Sequence, residues 1–224
     1  IVKFDEHQKM PTTRIEYSYY LMAVDAGLQM MPSRLLEGEQ TAHFLTERFD
    51  RRNGKKVHIQ TLAAMNPSAD SYEALFEVAC RIGVPPGELR QLFRSMVLNV
   101  LGGNVDDHNK NFSFLMDDDG HWHVAPAYDY TFSVDPDAPY YVNRHSMTVN
   151  NKTEGITAED LLEVARRYGI KAAEPFIEKA IGIVSHYPEY GREAGVGEEW
   201  IGTIEKEIAA RIECVSDNRA DRLK

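Results

Sequence analysis

The sequence predicts an α+β protein in which a small N-terminal sheet precedes a mainly helical body that carries a β-hairpin. Three observations favour this fold class. Short strand-like runs lie near the N-terminus, helical periodicity runs from residue 157 to the end, and two apolar runs flank the turn signal Asp119-Gly120. We therefore expect residues 1–56 to form the sheet-bearing part and residues 57–224 to form the helical part.

The first part is predicted to open with a strand at Ile1-Val2-Lys3-Phe4, followed by a helix over residues 14–27. Thr12 or Thr13 would cap this helix, which would end near Gly27. Apolar residues at helical spacing predict its buried face, which is Tyr17, Tyr20, Leu21, Val24 and Leu28. The segments that follow are strands near 34–37 and 42–49 and a charged turn over 51–56.

The second part is predicted to hold most of the helices. A helix over residues 70–82 precedes Gly83, and Pro85-Pro86-Gly87 opens the next one, which stops at Gly102-Gly103. The predicted core face of that next helix is Leu89, Leu92, Phe93, Met96, Val97 and Val100. The remaining predicted features are hairpin arms over 111–116 and 121–126 and a capping box at Thr157 and Asp160, where the helical C-terminal region starts.

The most informative pattern is Asp106-Asp107-His108-Asn109-Lys110-Asn111, followed eighteen residues later by Asp129. A carboxylate, an amide five residues on, and a second carboxylate after a hairpin form the layout of a protein-kinase catalytic loop and metal site. Each hairpin arm reaches about 20 Å, so the chain returns to its starting point and the three side chains converge. The hexapeptide alone is also good turn chemistry, and the hairpin with Asp129 is what favours a site.

The chain resembles the C-terminal portion of the HipA-like serine/threonine kinases, which are the toxins of bacterial toxin–antitoxin pairs. The family's Asp-x-His-x-x-Asn-Phe-Ser pattern fits residues 106–113, and its Pro-x-Tyr-Asp segment fits residues 126–129. Its Glu-Arg-Phe-Asp-Arg hinge fits residues 47–51, its Ile-x-Lys-Phe strand fits residues 1–4, and its Glu-Tyr helix start fits Glu16-Tyr17. The resemblance implies a protein-kinase-like fold, with a small remnant N-lobe sheet and a mainly helical C-lobe that holds a catalytic-loop hairpin.

The resemblance also implies a Mg-ATP-dependent phosphoryl transfer to a protein target, which would arrest growth. Asp106 would accept the proton of the substrate hydroxyl. His108 and Lys110 would neutralise phosphate charge, and His108 would also contact the nucleotide. Asn111 and Asp129 would bind Mg²⁺ through their side-chain oxygens.

Nucleotide contacts are expected from both predicted parts. Lys3, held by Glu16, would face the α- and β-phosphates. The hinge would hold adenine through the backbones of Glu47 and Phe49, with Leu45 and Phe49 as apolar walls. The other expected nucleotide-binding residues are Gln60, Tyr128 and Asp129.

Two other classes of function remain open at this stage. One is a binding module, a degenerate kinase that engages an antitoxin repressor. The other is a metal-dependent phosphohydrolase whose cluster would be Asp106, Asp107, His108 and Asp129. The repulsion between adjacent carboxylates leaves open whether Asp106 or Asp107 is the base, and the register with Asn111 favours Asp106. The sequence has neither a Walker loop nor a GxGxxG loop, which excludes those phosphate-binding solutions.

Two further clusters are predicted to be solvated surface. His121 and His123 share one strand face and could bind zinc, but the lack of a further cysteine or histidine ligand nearby favours a solvent-facing hairpin arm. A basic cluster follows the hinge and could steer an acidic partner or a tRNA-like ligand, although a solvated turn is the favoured interpretation. It consists of Arg48, Arg51, Arg52, Lys55 and Lys56.

Composition bounds the remaining possibilities. With 224 residues and 43% hydrophobic content, the chain is long enough for one globular domain with a real core. No apolar run approaches the roughly 20 residues of a membrane span, and a net charge of −10 argues against non-specific nucleic-acid binding. Cys80 and Cys214 form no CxxC pair, so we expect two buried thiols and a reducing cytoplasm.

The implied partners are a protein substrate and a DNA-binding antitoxin, with DNA reached only through that antitoxin. The chain opens inside a strand pattern and without an initiator Met. We therefore expect the sequence to be truncated or only partly ordered at its front, and it does not contain the glycine-rich loop that a kinase needs ahead of Lys3.

Overall fold

The computed structural model describes residues 1–5, 10–39, 41–52, 54–139 and 142–216, and its fold class is α+β, as the sequence predicts. The strands of the described residues are β1 (Val2–Lys3), β2 (Ser33–Glu37), β3 (Ala42–Thr46), β4 (Arg51–Arg52), β5 (Lys55–Lys56), β6 (His58–Thr61), β7 (Ser113–Met116) and β8 (Trp122–Val124). The helices are α1 (Thr12–Ala26), α2 (Leu62–Met65), α3 (Tyr72–Arg81), α4 (Leu89–Gly102), α5 (Ala158–Arg167), α6 (Ala173–Val184), α7 (Tyr187–Glu193) and α8 (Glu198–Ser216). Residues 217–224 of the predicted helical tail lie outside the described residues.

The strands form three antiparallel sheets, of which the first and third build the two walls of the site described below. In the first sheet β3 lies between β1 and β2, so that Lys3 and Leu35 both pair with Phe44. The predicted charged turn is the two-stranded sheet β4–β5. The third sheet joins β6 to the predicted hairpin β7–β8, whose turn has Gly120 at φ +86°. The strand after the hinge therefore pairs with the strand that leaves the catalytic loop.

Helix α1 differs from its prediction at its start and in its buried face. The residue before its first turn is Pro11, without a side-chain cap, because the Thr13 hydroxyl instead donates to the carbonyl of Ala42 on β3. Its fully buried apolar residues are Ile15, Tyr19, Met22, Ala23 and, at 1% exposure, Ala26. Of the stripe we predicted, only Leu28 is buried, whereas Tyr17, Tyr20 and Leu21 are half-buried and Val24 is 45% exposed.

The reason for the wrong face is that α1 carries apolar residues around most of its circumference. Both candidate stripes have helical spacing, so periodicity does not distinguish them. The buried face is the one that meets β3, α6 and α7. Tertiary packing therefore selects it.

Helix α4 matches its prediction closely. All six residues of its predicted core face are buried, and it ends at Gly102 with Gly103 in a left-handed conformation at φ +68°. A Cβ at Gly102 would lie 2.8 Å from the Tyr130 hydroxyl and 3.2 Å from the Tyr19 ring. The chain therefore leaves the core at a point where only glycine fits, directly before the catalytic loop.

One hydrophobic cluster contains the buried residues of α1, α3, α4, the hairpin and the C-terminal helices. The predicted capping box is confirmed, since Thr157 accepts from the backbone of Asp160 and the Asp160 carboxylate accepts from that of Thr157. The prediction for the cysteines is wrong, because Cys80 lies on the exposed side of α3 and Cys214 is only half-buried. No helix in the described part of the chain combines the length and apolarity needed to cross a membrane.

Candidate active site

Three charged side chains from distant parts of the chain meet at one point between the two walls. The Lys3 ammonium on β1 lies 2.7 Å from the Glu16 carboxylate on α1 and 2.5 Å from the Asp129 carboxylate after the hairpin. Glu16 and Asp129 differ in exposure, with side chains 11% and 44% accessible to solvent. The predicted partnership of Lys3 with Glu16 is therefore present, and Lys3 also contacts Asp129 directly.

The cluster of Lys3, Glu16 and Asp129 holds two carboxylates for one ammonium. Burial by itself would lower the pKa of Lys3, but the charge of Glu16 and the hydrogen bond to Asp129 outweigh it, so this pKa is raised. Burial raises the pKa of Glu16, and Lys3 offsets only part of that rise. With two carboxylates and one ammonium the cluster has a net negative charge, which a divalent cation at Asp129 would balance.

Asp129 is held in a conformation that few side chains adopt. Its φ is +52°, in the left-handed region where Asp and Asn are tolerated better than other residues. Ala127 donates its backbone N–H to the Gln29 carbonyl at 2.8 Å, and the Asn104 side chain lies 3.4 Å from the Asp129 carbonyl. These contacts hold the backbone around Asp129 in its strained conformation. Strained residues that are held in this way cluster at functional sites.

A cleft of about 490 Å³ adjoins Lys3, Glu16 and Asp129. This volume lies within the range of roughly 300–1,000 Å³ usual for small-molecule sites. Its apolar walls include Phe49 and Tyr128, whose ring centroids are 5.5 Å apart. The other lining residues are Ile1, Met30, Met31, Ser33, Phe44, Thr46, Glu47, Arg48, Asp50, Ile59, Thr61, Lys110, Ser113 and Ala127.

Tyr128 links the cleft to the catalytic loop. Burial raises the pKa of its phenol to about 12, so the hydroxyl remains protonated at neutral pH. The hydroxyl donates to the carbonyl of Lys110 at 2.7 Å and lies 2.5 Å from the hydroxyl of Ser113. Phe49 and Tyr128, which we expected to contact the nucleotide, thus line one cleft with Lys110, which we expected to neutralise phosphate charge.

Three of our expectations about the nucleotide-binding residues are wrong. The Glu47 N–H already donates to the Pro32 carbonyl at 3.1 Å, so Glu47 lines the cleft without a free amide. Phe44 lines the cleft in place of Leu45, because successive side chains of β3 point to opposite faces. By the same alternation on β6, the lining residues are Ile59 and Thr61, and the intervening Gln60 is not among them.

The predicted catalytic loop, residues 106–111, presents the Asp106 carboxylate to solvent. The side chain of Asp106 is 67% exposed, and its backbone carbonyl accepts a hydrogen bond of 2.9 Å from the Asn111 amide nitrogen. That bond leaves the amide oxygen of Asn111 as the atom available to a metal. His108 Nε2 lies 3.9 Å from an Asp106 carboxylate oxygen, while its buried Nδ1 has no partner among the described residues. Asp106, His108 and Asn111 therefore lie together.

Two residues that sequence reasoning missed join the loop to the Asp129 segment. The Ser133 hydroxyl accepts from the backbone N–H of Val105 at 2.7 Å and from that of Asp106 at 3.0 Å. Asn104 contacts both the Asp129 carbonyl and the Ser133 hydroxyl. Ser133 follows Asp129 by four residues in the printed chain, but no motif in the sequence distinguished it from a loop serine.

Asp107 behaves differently from its neighbour. It is fully buried, and its carboxylate accepts hydrogen bonds from Tyr72, His145 and the backbone of Ser146. A carboxylate occupied in this way is unavailable to a metal or a substrate. Asp107 therefore cannot take part in the metal cluster of the phosphohydrolase alternative. Of the two adjacent carboxylates, only Asp106 is placed to act as a base.

The hairpin histidines have mainly local partners. His123 lies 2.8 Å from Glu88 and 3.2 Å from Asp117, and hydrogen bonds to these two carboxylates raise its pKa. Backbone N–H donation, first from His121, lowers the pKa of Asp117 to about 2. Ligand atoms of Asp117, Asp119 and His121 lie within 4.8 Å of one another at this surface, although Asp117 is already occupied by the turn.

The basic cluster after the hinge lies at the surface, as we predicted. Its four strand residues are exposed in the β4–β5 hairpin, with Arg51 opposite Lys56 and Arg52 opposite Lys55. Arg48 and Arg51 pair with Asp50, whose pKa is lowered chiefly by the hydrogen bond from Arg48.

A family model and a curated relative both match this chain. A family model described as HipA-like C-terminal domain matches residues 1–189. A protein of Sinorhizobium fredii (strain NBRC 101917 / NGR234) named "Putative kinase Y4mE" is 25% identical over 134 residues, which are 53% of this chain and 32% of that protein. The chain thus spans about a third of the length of this curated relative.

Two solved structures share the fold at low sequence identity. The HipA chain in the Shewanella oneidensis MR-1 complex of HipA, HipB and operator DNA aligns with a TM-score of 0.74 and 20% identity, over 96% of this chain and 57% of that one. The Helicobacter pylori proinflammatory kinase CtkA aligns with a TM-score of 0.61 and 17% identity, over 99% of this chain and 90% of that one. The architecture is therefore kinase-like.

Proposed function

The chain belongs to the HipA-like C-terminal domain family, and from that premise we propose that it is the nucleotide-binding and catalytic part of a Mg-ATP-dependent serine/threonine protein kinase of the toxin type. Residues 1–56 would supply the N-lobe strands, the Glu16 helix and the hinge. Residues 57–224 would supply the C-lobe with its catalytic and metal-binding loops.

The observation that carries the proposal is the meeting of Lys3 with Glu16 and Asp129 at one end of an apolar cleft. In protein kinases a strand lysine paired with a helix glutamate, together with a metal-binding aspartate, must all be in place for phosphoryl transfer. Glu16 and Asp129 are separated by 113 positions, so their convergence on one ammonium is not a consequence of local sequence. It is the arrangement that a triphosphate site requires.

Each remaining residue has a role that follows from its position. Phe49 and Tyr128 would enclose adenine, and Lys3 with Lys110 would face the phosphates. The exposed Asp106 would accept the proton of a serine or threonine hydroxyl, whose oxygen then bonds to the γ-phosphorus while the bond to the β,γ-bridging oxygen breaks and ADP leaves. His108, beside Asp106, would add positive charge when protonated.

The side-chain oxygens of Asn111 and Asp129 would hold Mg²⁺, and the negative balance of the Lys3 cluster fits a divalent cation there. When bound, Mg²⁺ neutralises phosphate charge. Asn111 keeps its amide oriented through the hydrogen bond to the Asp106 carbonyl, so its contribution is preorganised.

We also propose a protein substrate and a DNA-binding antitoxin partner, with action in the cytoplasm. The support for the antitoxin is the structural likeness to a HipA chain whose solved structure is a complex with HipB and operator DNA. Contact with DNA would then pass through the antitoxin, in keeping with a net charge of −10 on this chain.

The decisive experiment measures ATP binding by calorimetry with and without Mg²⁺, for the protein and its Asp129→Ala variant. We expect Mg²⁺ to strengthen ATP binding in the protein and to have little effect in the variant. Asp118→Ala is the matched control, because Asp118 is an exposed carboxylate at the hairpin tip. Its ATP binding should be unchanged.

A phosphotransfer assay on a generic protein substrate completes the test. Transfer of labelled phosphate to serine or threonine supports the kinase. Mg-ATP binding without any transfer, combined with capture of an antitoxin, would favour the binding-module function instead. Absence of ATP binding in the unmodified protein would contradict the proposal.

A further inference from the structure

A second polar network lies on the side of the catalytic loop that faces the interior. Asp107 is 0% exposed and His145 is 4% exposed. The Asp107 carboxylate accepts from the Tyr72 hydroxyl at 2.6 Å, from His145 Nδ1 at 2.8 Å, and from the backbones of Ser146 at 2.8 Å and Met147 at 3.4 Å. A buried carboxylate with this many donors is satisfied as an anion.

The network continues to the last described helix. His145 Nε2 lies 3.2 Å from an Arg211 guanidinium nitrogen on α8, and Arg211 also bonds Glu207 at 2.8 Å. Since a guanidinium only donates, Nε2 is the acceptor and Nδ1 carries the hydrogen that goes to Asp107. His145 therefore connects the buried Asp107 to Arg211 through its two ring nitrogens.

The same network also contacts the backbone of the loop that carries Asp106. Ser146 donates its backbone N–H to the Val105 carbonyl at 2.9 Å, and a Cβ on Gly103 would lie 3.3 Å from Arg211. The loop from Gly103 to Asp107 is thus attached on its inner side to α8 and to the segment around His145. On its other side the Ser133 hydroxyl accepts from the N–H of Asp106.

We propose that Asp107, His145 and Arg211 are positioning residues that set the placement of Asp106, so that α8 controls the rate of phosphoryl transfer without touching the nucleotide. This inference rests on the proposed kinase function for its rate effect. Its physical basis is that an error of about 1 Å in placing a reacting group can cost on the order of 10²-fold in rate.

The test compares substitutions that break the bridge with ones that preserve it. His145→Ala and Arg211→Met should lower kcat for phosphoryl transfer by about 10- to 100-fold, with the KM for ATP changed less than about twofold. His145→Asn should recover part of kcat, because its amide N–H can replace Nδ1–H as the donor to Asp107, although the shorter side chain has no acceptor in place of Nε2 for Arg211. Arg192→Met is the matched control, since Arg192 forms an exposed ion pair with Glu198 and should have no effect.

A second readout does not depend on activity. Hydrogen exchange of peptides covering residues 103–111 should accelerate in His145→Ala and Arg211→Met, accelerate less in His145→Asn, and stay at the normal rate in Arg192→Met. Unchanged exchange in the first two variants would overturn the inference even if the protein is an active kinase. Accelerated exchange in a protein that transfers no phosphate would retain the loop-holding role and reject the kinase.

A purely structural role predicts a different pattern. In that case the melting temperature and kcat would fall and KM would rise together. The kcat of His145→Asn would then be no higher than that of His145→Ala. That result would also overturn the inference.

Discussion

The outer and inner faces of the predicted catalytic loop carry adjacent carboxylates that differ in their exposure to solvent. Asp106 is 67% exposed by side chain and has its backbone fixed, whereas Asp107 is fully buried with its oxygens occupied. In the sequence the register with Asn111 favours Asp106 as the base, but nothing there indicates that Asp107 is buried. The difference teaches that a carboxylate serves chemistry when its backbone is held and its oxygens are left available, and serves the fold when its oxygens are satisfied by the protein.

The largest expected effect is on the outer face. Asp106→Gln should lower phosphoryl transfer by about 10³- to 10⁴-fold, because the general base is lost. ATP affinity and melting temperature should stay near their original values, since the side chain is largely exposed and is not among the residues that line the cleft. Transfer rates and calorimetric ATP binding check this, and a large loss of stability would place Asp106 in the same class as Asp107.

On the inner face, substitution of Asp107 should lower the stability of the protein. Asp107→Ala leaves the donors of Tyr72, His145 and Ser146 unpaired in the interior. Loss of one partner from a buried charged network costs about 3–5 kcal/mol in the free energy of unfolding. Urea denaturation measures it, with Asp118→Ala as an exposed control. A cost below about 1 kcal/mol would mean that the buried network contributes little to stability.

The cluster of Lys3, Glu16 and Asp129 is intermediate in exposure between Asp106 and Asp107. Lys3→Met removes its cation. At neutral pH we expect a loss of about 1–3 kcal/mol in the free energy of unfolding, reduced from the cost of a buried pair by the exposure of Lys3.

The pH dependence of Lys3→Met has a definite sign. Burial already raises the pKa of Glu16, and removal of Lys3 takes away the group that opposes the rise. A carboxyl with a raised folded pKa favours the folded state when protonated, so the variant should regain stability as the pH falls from 7 toward the unfolded value of 4.5. Urea denaturation at several pH values, beside the original protein, follows this recovery. A parallel pH profile for the two proteins would contradict the role of Glu16.

The smallest effect is expected at the rim of the cleft. Arg48 and Asp50 form an ion pair 2.6 Å long, but the Arg48 side chain is 47% exposed. Arg48→Ala should leave the free energy of unfolding essentially unchanged, because exposed pairs are screened by solvent. Thermal denaturation at low and high salt measures this, and a cost near that of Asp107→Ala would remove the distinction between rim and interior.

Much of this fold and site is predictable from short-range pattern. The hairpin follows from alternating apolar runs around Asp119-Gly120, and the buried face of α4 follows from its periodicity. The spacing of Asp106, Asn111 and Asp129 indicated a common site, and the first two of these are in contact. These features depend on residues close in sequence, or on a hairpin that returns the chain to its start.

Other features were decided only by the tertiary structure. The burial of Asp107 depends on His145 and Ser146, the lost amide of Glu47 depends on Pro32, and the orientation of α1 depends on β3, α6 and α7. The physical reason is that burial and hydrogen-bond occupancy are properties of partners far along the chain, and local propensity carries no information about them. The sequence by itself determined which chemical groups are available and at what spacing, and only packing decided which of them remained free to react.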